Sequence, residues 1–486
     1  MRPLSLIPLV SVIVGSILLG PGTASGTPYW GDAEVEAYLQ NPHGLTHAPV
    51  PEHLLPPTPA TPQELRTAYL DMYGRIAHFL SILQVNLPGD PTDGGIREGE
   101  HLPNIIQTDN TSEAIWVWTR YYELTGDDQY HPNILKAFGY STRYPAYNEE
   151  GGSAETIGYY RMYNCGWATR AVLKYRDVYG DNTYKTYGDS CASYIRYHTL
   201  VRFGNDFYDH LNPPVLSWAL GNLYYAGTHE SSQPWKDRAV QQARDKVKVW
   251  VEGEPTLLGN ETWAMAGGAT MWGLIDSYFL AYPESLTVWV PRYKDYMDTF
   301  SSAGDFTNAW NGWYALGHRA VGRSLLDPYE CGLHAMLTDT LITEDGDGDG
   351  GIPARPEDSD TMDQSWVTNY LAFMGLSDFL GVTSTVLPAA GTDRRAIVSL
   401  TSAPNPLRAQ TNISFELLHP EDIAIVIYDP AGRRIASLTS GQRGAGNYSV
   451  PWNGRNDHGE MVSSGVYLLT LRTAKKTVSQ RLILNR

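Results

Sequence analysis

The sequence predicts a mainly α-helical body, an (α/α)6 toroid, followed by a small C-terminal β-sandwich. Three observations predict it. Apolar residues recur at helical spacing from Thr61 to about Leu380, then give way to two-residue alternation. The connectors between helical segments alternate short and long. Segments after long connectors are apolar or small nearly all round, whereas those after short turns keep one wet side.

The chain opens on "MRPLSLIPLVSVIVGSILLGPGTASG", in which Arg2 precedes an apolar run to Leu19 and small residues from Ala24 to Gly26. That is the layout of a secretory signal peptide over residues 1–26. No later stretch is apolar enough to cross a bilayer, so the expectation is an exported protein, secreted or at the cell surface, with no integral span. Residues 27–60 are Pro-rich without a steady period and read as an extended lead-in.

Twelve helical segments divide residues 61–381: 62–83, 111–125, 128–141, 157–179, 183–198, 213–227, 234–251, 262–281, 285–300, 308–322, 327–342 and 363–380. Short connectors such as "TGDDQY" and "YGDNT" suit antiparallel hairpins. "PWKDRAVQQARDKVKVW" (234–250) is amphipathic and reads as outer; "TWAMAGGATMWGLIDSYFLAY" (262–282) reads as enclosed. Inner helices start about every 46–55 residues, the interval of a helical-hairpin array. Pairing 363–380 with 62–83 closes the ring. Across about residues 60–380 the pattern resembles the six-hairpin toroids of carbohydrate-active enzymes in architecture; no family motif accompanies it, so the resemblance assigns no residue.

Residues 382–398, containing "VTSTVLPAAGTDRR", form a linker. Residues 399–486 hold about six strands, with alternation at Ile423, Ile425 and Ile427 and turns at Asp429-Pro430-Ala431-Gly432 and Asn453-Gly454. Asn405-Pro406, Tyr428-Asp429, Gly432-Arg433, Trp452-Asn453-Gly454 and Ser464-Gly465-Val466-Tyr467 resemble the C-terminal sorting domains of type IX secretion substrates and the related hook-capping immunoglobulin-like modules. The resemblance implies export across a Gram-negative outer membrane, with outer-membrane secretion machinery as a partner.

Charge separates the two regions. Residues 393–486 carry 12 Lys/Arg against 7 Asp/Glu, a balance of +5, which leaves −22 of the net −17 for the rest. An acidic body does not suit nucleic acid or anionic membranes. Cys165, Cys191 and Cys331 make no disulfide framework. Counted from their shared turn, Cys165 and Cys191 differ in height by roughly 10 Å at ~1.5 Å per residue, so the expectation is buried free thiols that do not bridge.

"EDGDGDGGIPARPEDSD" spaces Asp345, Asp347 and Asp349 two apart with glycines between them, the first half of an EF-hand-type loop. Position twelve is Pro356 instead of a bidentate Glu, a departure from a true EF-hand; Glu357, Asp358 or Asp360 could supply the missing oxygens. The expectation is a structural Ca²⁺ bound by Asp345, Asp347, Asp349, Asp358 and Asp360.

In a toroid the long connectors gather at the end where inner helices begin. That end collects carboxylates and rings, the combination sugar hydrolysis uses: rings stack on pyranoses while an acid and a base flank the glycosidic bond. The catalytic candidates are Asp109, Glu261, Asp363 and Glu155, each just before or within the first turn of an inner helix. The substrate-binding candidates are Tyr159, Tyr208, His210, Trp263, Trp310, Trp313 and Trp366. Asn110-x-x-Glu113 fits a capping box, which discounts Glu113. Without Gly-x-Ser-x-Gly, His-Glu-x-x-His or phosphate-loop patterns, esterase, zinc-protease and kinase chemistry have no support. The functional expectation is an exported glycoside hydrolase acting on poly- or oligosaccharide. The alternatives are a polysaccharide lyase on the same scaffold and a non-catalytic, calcium-stiffened glycan-binding protein.

Overall fold

The computed structural model describes residues 30–40, 61–148, 157–200, 206–253, 260–286, 288–292, 308–325, 328–355, 357–381, 397–403, 407–417, 421–429, 433–444, 446–473 and 477–485. The expected signal peptide, most of the linker and Glu155 lie outside them. The chain divides into a helical unit over residues 16–387 and a β-rich unit dominated by residues 388–486. No helix among the described residues is long and apolar enough to cross a membrane.

The first long helix, α2 (Pro62–Leu83), starts where the sequence places it. Thr61 accepts from the Glu64 backbone N–H at 3.2 Å and donates to the Glu64 carboxylate at 3.0 Å, a reciprocal cap. Its stripe Leu65, Tyr69, Met72, Tyr73, Ile76, Phe79, Leu80 and Leu83 is buried. Ahead of it, Asp32–Gln40 forms α1, a helix where the Pro-rich composition predicts an extended lead-in. The stretch itself contains no proline, has Asp32 and Glu34 in its first turn, and buries Val35 and Tyr38. It packs on α13 (Pro328–Ile342). There Tyr38 and Tyr69 donate to the Asp339 carboxylate at 2.6 and 2.7 Å. The Trp30 indole N–H donates to His334 Nδ1 at 2.7 Å, so His334 carries its proton on Nε2 and donates it to the Met374 carbonyl at 2.6 Å.

Six helices succeed one another as neighbours: α3 (Thr108–Thr125), α5 (Ile157–Tyr179), α7 (Asp206–His229), α10 (Asn260–Ile275), α12 (Asn308–Leu325) and α14 (Ser365–Tyr370). Each packs on the next, and α14 returns onto α3, with a smaller contact on α2. The helices between them pair as hairpin partners: α4 (His131–Arg143) on α3, α6 (Lys185–Tyr197) on α5, α8 (Gln233–Gln242) on α7, α11 (Tyr278–Ala281) on α10, and α13 on α12. After α8 the chain runs through a π-helical stretch, Ala243–Lys248, into α9 (Val249–Gly253).

Two boundaries differ from the sequence reading. α3 begins at Thr108, which puts Asn110 and Glu113 inside the helix, not at a cap. α7 begins at Asp206 and carries Pro213 and Pro214 internally, although proline favours a first turn, so Tyr208 and His210 lie on helix instead of loop. The three cysteines are free and buried, as expected. Yet the Cys165 and Cys191 thiols lie within hydrogen-bond reach of each other, closer than the height argument allows.

Glycine sets the spacing of the ring. A Cβ on Gly268 of α10 would lie 1.6 Å from the Trp313 carbonyl oxygen of α12, and one on Gly273 would lie 2.0 Å from the Ser217 carbonyl oxygen of α7. The backbones themselves touch at these points, so neither helix can yield by turning a side chain.

Among the described residues the C-terminal unit has seven strands: β3 (Ile397–Ala403), β4 (Thr411–Leu417), β5 (Glu421–Tyr428), β6 (Arg434–Arg443), β7 (Gly446–Trp452), β8 (Gly465–Arg472) and β9 (Thr477–Leu484); β1 (Ile96–Arg97) and β2 (Ile106–Gln107) belong to the helical unit. They form antiparallel sheets in the orders β3-β4-β7 and β6-β5-β8-β9. Alternate residues face one core: Ile413, Phe415 and Leu417; Ile423, Ile425 and Ile427; Tyr467, Leu469 and Leu471; Leu482 and Leu484. The turn after β5 is tied by Asp429, which accepts from the Arg433 backbone N–H at 2.9 Å and its Nε at 2.7 Å.

Gly268→Ala is expected to lower unfolding free energy by at least about 1–3 kcal/mol, the range for overpacking a filled core. Denaturant unfolding of the full chain checks it, with half-buried Gly139→Ala, whose Cβ meets nothing within 4 Å, expected to be neutral or mildly stabilising.

Candidate functional site

The inside of the ring is filled with aromatic rings. Phe373, in the π-helical stretch Leu371–Gly375 that follows α14, meets Trp116 edge-on at 4.6 Å, Trp167 at 5.0 Å and Trp218 at 5.9 Å. Trp218 continues the cluster to Trp167 at 4.6 Å, Trp272 at 4.9 Å and Trp313 at 5.4 Å, and Trp313 reaches Tyr370 at 5.2 Å. All six ring helices, or the turn continuing them, contribute to this plug.

One turn toward the starts of α3, α5 and α14 the character changes from aromatic to acid and amide. Glu113 is 1 % exposed. Its carboxyl accepts from Asn369 Nδ2 at 3.2 Å and from the Tyr163 hydroxyl at 3.4 Å. Tyr163 and Tyr370 share a short hydroxyl–hydroxyl hydrogen bond. Burial, then the neighbouring Asp109, drives the Glu113 carboxyl well above the usual range, and the two neutral donors only partly oppose this. Its surroundings thus favour the protonated form over the carboxylate. Burial likewise holds the Tyr163 and Tyr370 phenols above their ordinary value, so both stay protonated.

Asp109 lies one turn before Glu113 on α3, half-buried, and accepts from the Asn110 N–H at 2.8 Å. Residues four apart on a helix face the same way, with Cβ atoms ~5–6 Å apart. Trp366 is half-buried, packs edge-on against Tyr370 at 5.5 Å, and donates its indole N–H to Gln364. Tyr159 is half-buried against Tyr160 and is among the groups that act on Tyr370. Buried amides complete this layer: Asn110 Nδ2, Asn164 Oδ1, Asn311 Oδ1 and Asn369 Oδ1 find no hydrogen-bond partner among the described residues. This layer sets a buried acid, a half-buried second acid, amides and half-buried rings together, groups whose chemistry suits a polyhydroxylated ligand and proton exchange with it.

The structure thus brings together Asp109, Tyr159 and Trp366 of the sequence candidates and adds Glu113, Tyr163, Asn369 and Tyr370. Trp313 is 5 % exposed and belongs to the plug, so it is wall packing and not a sugar platform. Tyr208, His210, Glu261, Trp263 and Trp310 sit in the first turns of α7, α10 and α12; their side chains lie outside those described. Glu113 was discounted because Asn-x-x-Glu mimics a capping box. The signal that identifies it is its position four residues after Asp109, in "TDNTSEA", a run whose described side chains are nearly all buried.

Asp363 is elsewhere. Its backbone pairs with Pro353 and accepts from the Glu100 N–H at 3.1 Å, while Gln364 pairs with Gly99, so the loops before α3 and α14 meet there. Burial, then Asp349, Glu100, Asp347 and Asp345, pushes its carboxyl up to about 8. It therefore joins the acidic loop, not the recess with Glu113. Asp345, Asp347 and Asp349 converge there; neither Asp358 nor Asp363 is one of the three converged carboxylates, and the Asp360 side chain lies outside those described.

Residues 404–477 match the family model of the FlgD Ig-like domain, and the C-terminal unit contains that domain. No curated protein matches the chain. Among solved structures, Pseudomonas fluorescens alkylpurine DNA glycosylase AlkC bound to DNA containing an abasic site analog aligns at 14% identity over 87% of this chain and 99% of that one. Its TM-score of 0.15 relates neither the folds nor the functions.

Glu113→Gln keeps the shape and removes a buried ionisable group; its one amide oxygen can accept from Asn369 Nδ2, while its NH2 can donate to the Tyr163 hydroxyl. A carboxyl whose folded pKa is raised adds stability at low pH and loses it as pH rises from the ordinary glutamate range toward the folded value. The melting temperature of the Gln variant is therefore expected to gain on wild type as pH rises from 4 to 8; a difference constant with pH would show that Glu113 is not held protonated.

Proposed function

We propose that the chain is an exported glycoside hydrolase in which Glu113 protonates the leaving glycosidic oxygen and Asp109, nearer the opening, is the ionised partner. The observation that carries this reading is Glu113 itself: a buried acid beside a second carboxylate, held by neutral donors and with no cation among the described groups acting on it. Two carboxylates whose surroundings separate their protonation states are what glycoside hydrolysis divides between acid and base. Trp366 and Tyr159 offer ring faces for a pyranose. The closed succession of six ring helices supports an (α/α)6 toroid, the architecture of many carbohydrate-active enzymes. The leader-like start and the resemblance of the last 80-odd residues to type IX sorting domains support release to the cell surface or medium, with the secretion machinery as partner. The acidic body speaks against a nucleic-acid partner.

A polysaccharide lyase is the second reading, favoured by the Tyr163–Tyr370 contact, since tyrosine can serve as the base. Against it, both phenols are pushed away from ionisation, and a lyase needs a cation to neutralise the uronate.

With a panel of neutral and acidic polysaccharides, the expected result is new reducing ends without an unsaturated product absorbing in the near ultraviolet. Glu113→Gln is expected to cut kcat about 10²–10⁴-fold, the usual share of general acid catalysis. It should lose far less on aryl glycosides whose leaving group needs no proton, whereas Asp109→Asn should lose on both. An unsaturated product would install the lyase. Binding of a glycan without turnover would leave the chain a lectin-like protein, and full activity in both variants would place the chemistry elsewhere.

A further inference from the structure

We propose that Asp345, Asp347, Asp349 and Asp363 together hold one Ca²⁺, which fastens the loop before α14 to the body of the helical unit. Asp363 replaces the Asp358 and Asp360 that sequence spacing offers, and its role is cation binding instead of catalysis.

One carboxylate oxygen from each of Asp345, Asp347 and Asp349 lies within 4.8 Å of the others. Oxygens ~2.4 Å from a common calcium can be no more than about 4.8 Å apart, so the three already satisfy the geometry of one coordination sphere. An acidic cluster alone would not make a site, but Asp363, which is not one of the three converged carboxylates, is a second and separate observation. It comes from the far end of the loop, is 2 % exposed, and its Oδ1 finds no hydrogen-bond partner among the described residues. Its carboxylate is seated over Gly351, where a Cβ would lie 2.3 Å from Oδ2, and it feels Asp349 more strongly than any other charge. A buried carboxyl left without a donor keeps a negative charge only with a cation opposite it.

The protein's own cations are already engaged or lie to one side. Arg75 pairs with Asp345, which also accepts from the Gly350 N–H at 3.1 Å. His78 acts on Asp349, and His101 on Glu100. One arginine against Asp345, Asp347, Asp349, Asp363 and the nearby Glu100 leaves a surplus of negative charge that a divalent ion offsets. An oxygen-only set on a glycine-rich loop suits Ca²⁺, which tolerates irregular geometry, better than Mg²⁺, which demands an octahedron. Gly350, with φ +99° and no room for a Cβ against the Arg75 backbone, keeps the loop pressed onto α2. Bound there, the ion fixes both ends of residues 345–363 and hence the start of α14, which carries Trp366, Asn369 and Tyr370. It stands whether or not the recess cleaves sugars.

The test is calorimetric titration of CaCl2 into the chelator-stripped full chain, with melting temperature followed in parallel. Wild type is expected to take up one Ca²⁺ per chain, to melt higher with it, and to bind Mg²⁺ at least tenfold more weakly. Asp363→Asn is expected to weaken binding at least tenfold, Asp347→Asn/Asp349→Asn to abolish it, and Asp358→Asn to leave it unchanged. Should Asp363→Asn fail to fold, the double variant of the exposed Asp347 and half-buried Asp349, set against Asp358→Asn, decides. No heat and no melting shift in wild type would overturn the site. Wild-type affinity in a folded Asp363→Asn variant, or loss of binding in Asp358→Asn, would overturn the ligand set; equal affinity for Mg²⁺ would overturn calcium.

Discussion

The helical unit depends on a single constraint, the filling of its centre. Six helices in cyclic contact enclose a space that must be occupied, and here Phe373, Trp116, Trp167, Trp218, Trp272, Trp313 and Tyr370 occupy it. Each ring pair adds about 0.5–1.5 kcal/mol beyond its burial, and most meet edge-on or tilted, as the ring quadrupoles favour. The rings reach one another only because Gly268 and Gly273 let neighbouring backbones touch. The plug also sorts the polar residues. Along α3 the order is Asp109, Glu113, Trp116, Arg120, Glu123; along α5 it is Tyr163, Trp167, Arg170, Lys174. One side of the rings is thus acid and amide, and the other is ion-paired.

That other side shows what a paired interior looks like. Glu123 is as buried as Glu113, yet Lys174 and Arg120 overcome its burial and hold its carboxyl near 2. Arg170 lies against Tyr225, Trp272 and Phe373 and donates to Asn222 at 2.6 Å. Arg319 pairs with Asp378 at 2.5 Å. Two glutamates ten residues apart on one helix are therefore shifted in opposite directions, according to which face of the plug they occupy. The asymmetry separates an acid held by neutral donors from one held by cations.

The helical body with a β-rich end was legible because periodicity survives local irregularity, and in the C-terminal unit the two-residue alternation of Ile423, Ile425 and Ile427 leaves little choice of face. The site was legible only in part. Asp109 and Trp366 followed from their place before inner helices. Glu113 did not, because a capping box and an inward-facing polar turn share the same letters until the helix start is known to within a residue. α1 was hidden by the prolines around it; only its docking partners Asp339 and His334, some 300 residues away, explain why a nine-residue helix persists. Asp363 was legible as an acid but not as part of the Asp345 loop, since the strand-like pairing that folds the segment back depends on contacts with residues 98–100.

The aromatic filling has a consequence for traffic. A ring blocked at its middle cannot be threaded, so a polymer could never run through it as a rope through a pulley. Anything that came to rest beside Glu113 would have to enter and leave by the acid side, a blind alley and not a tunnel.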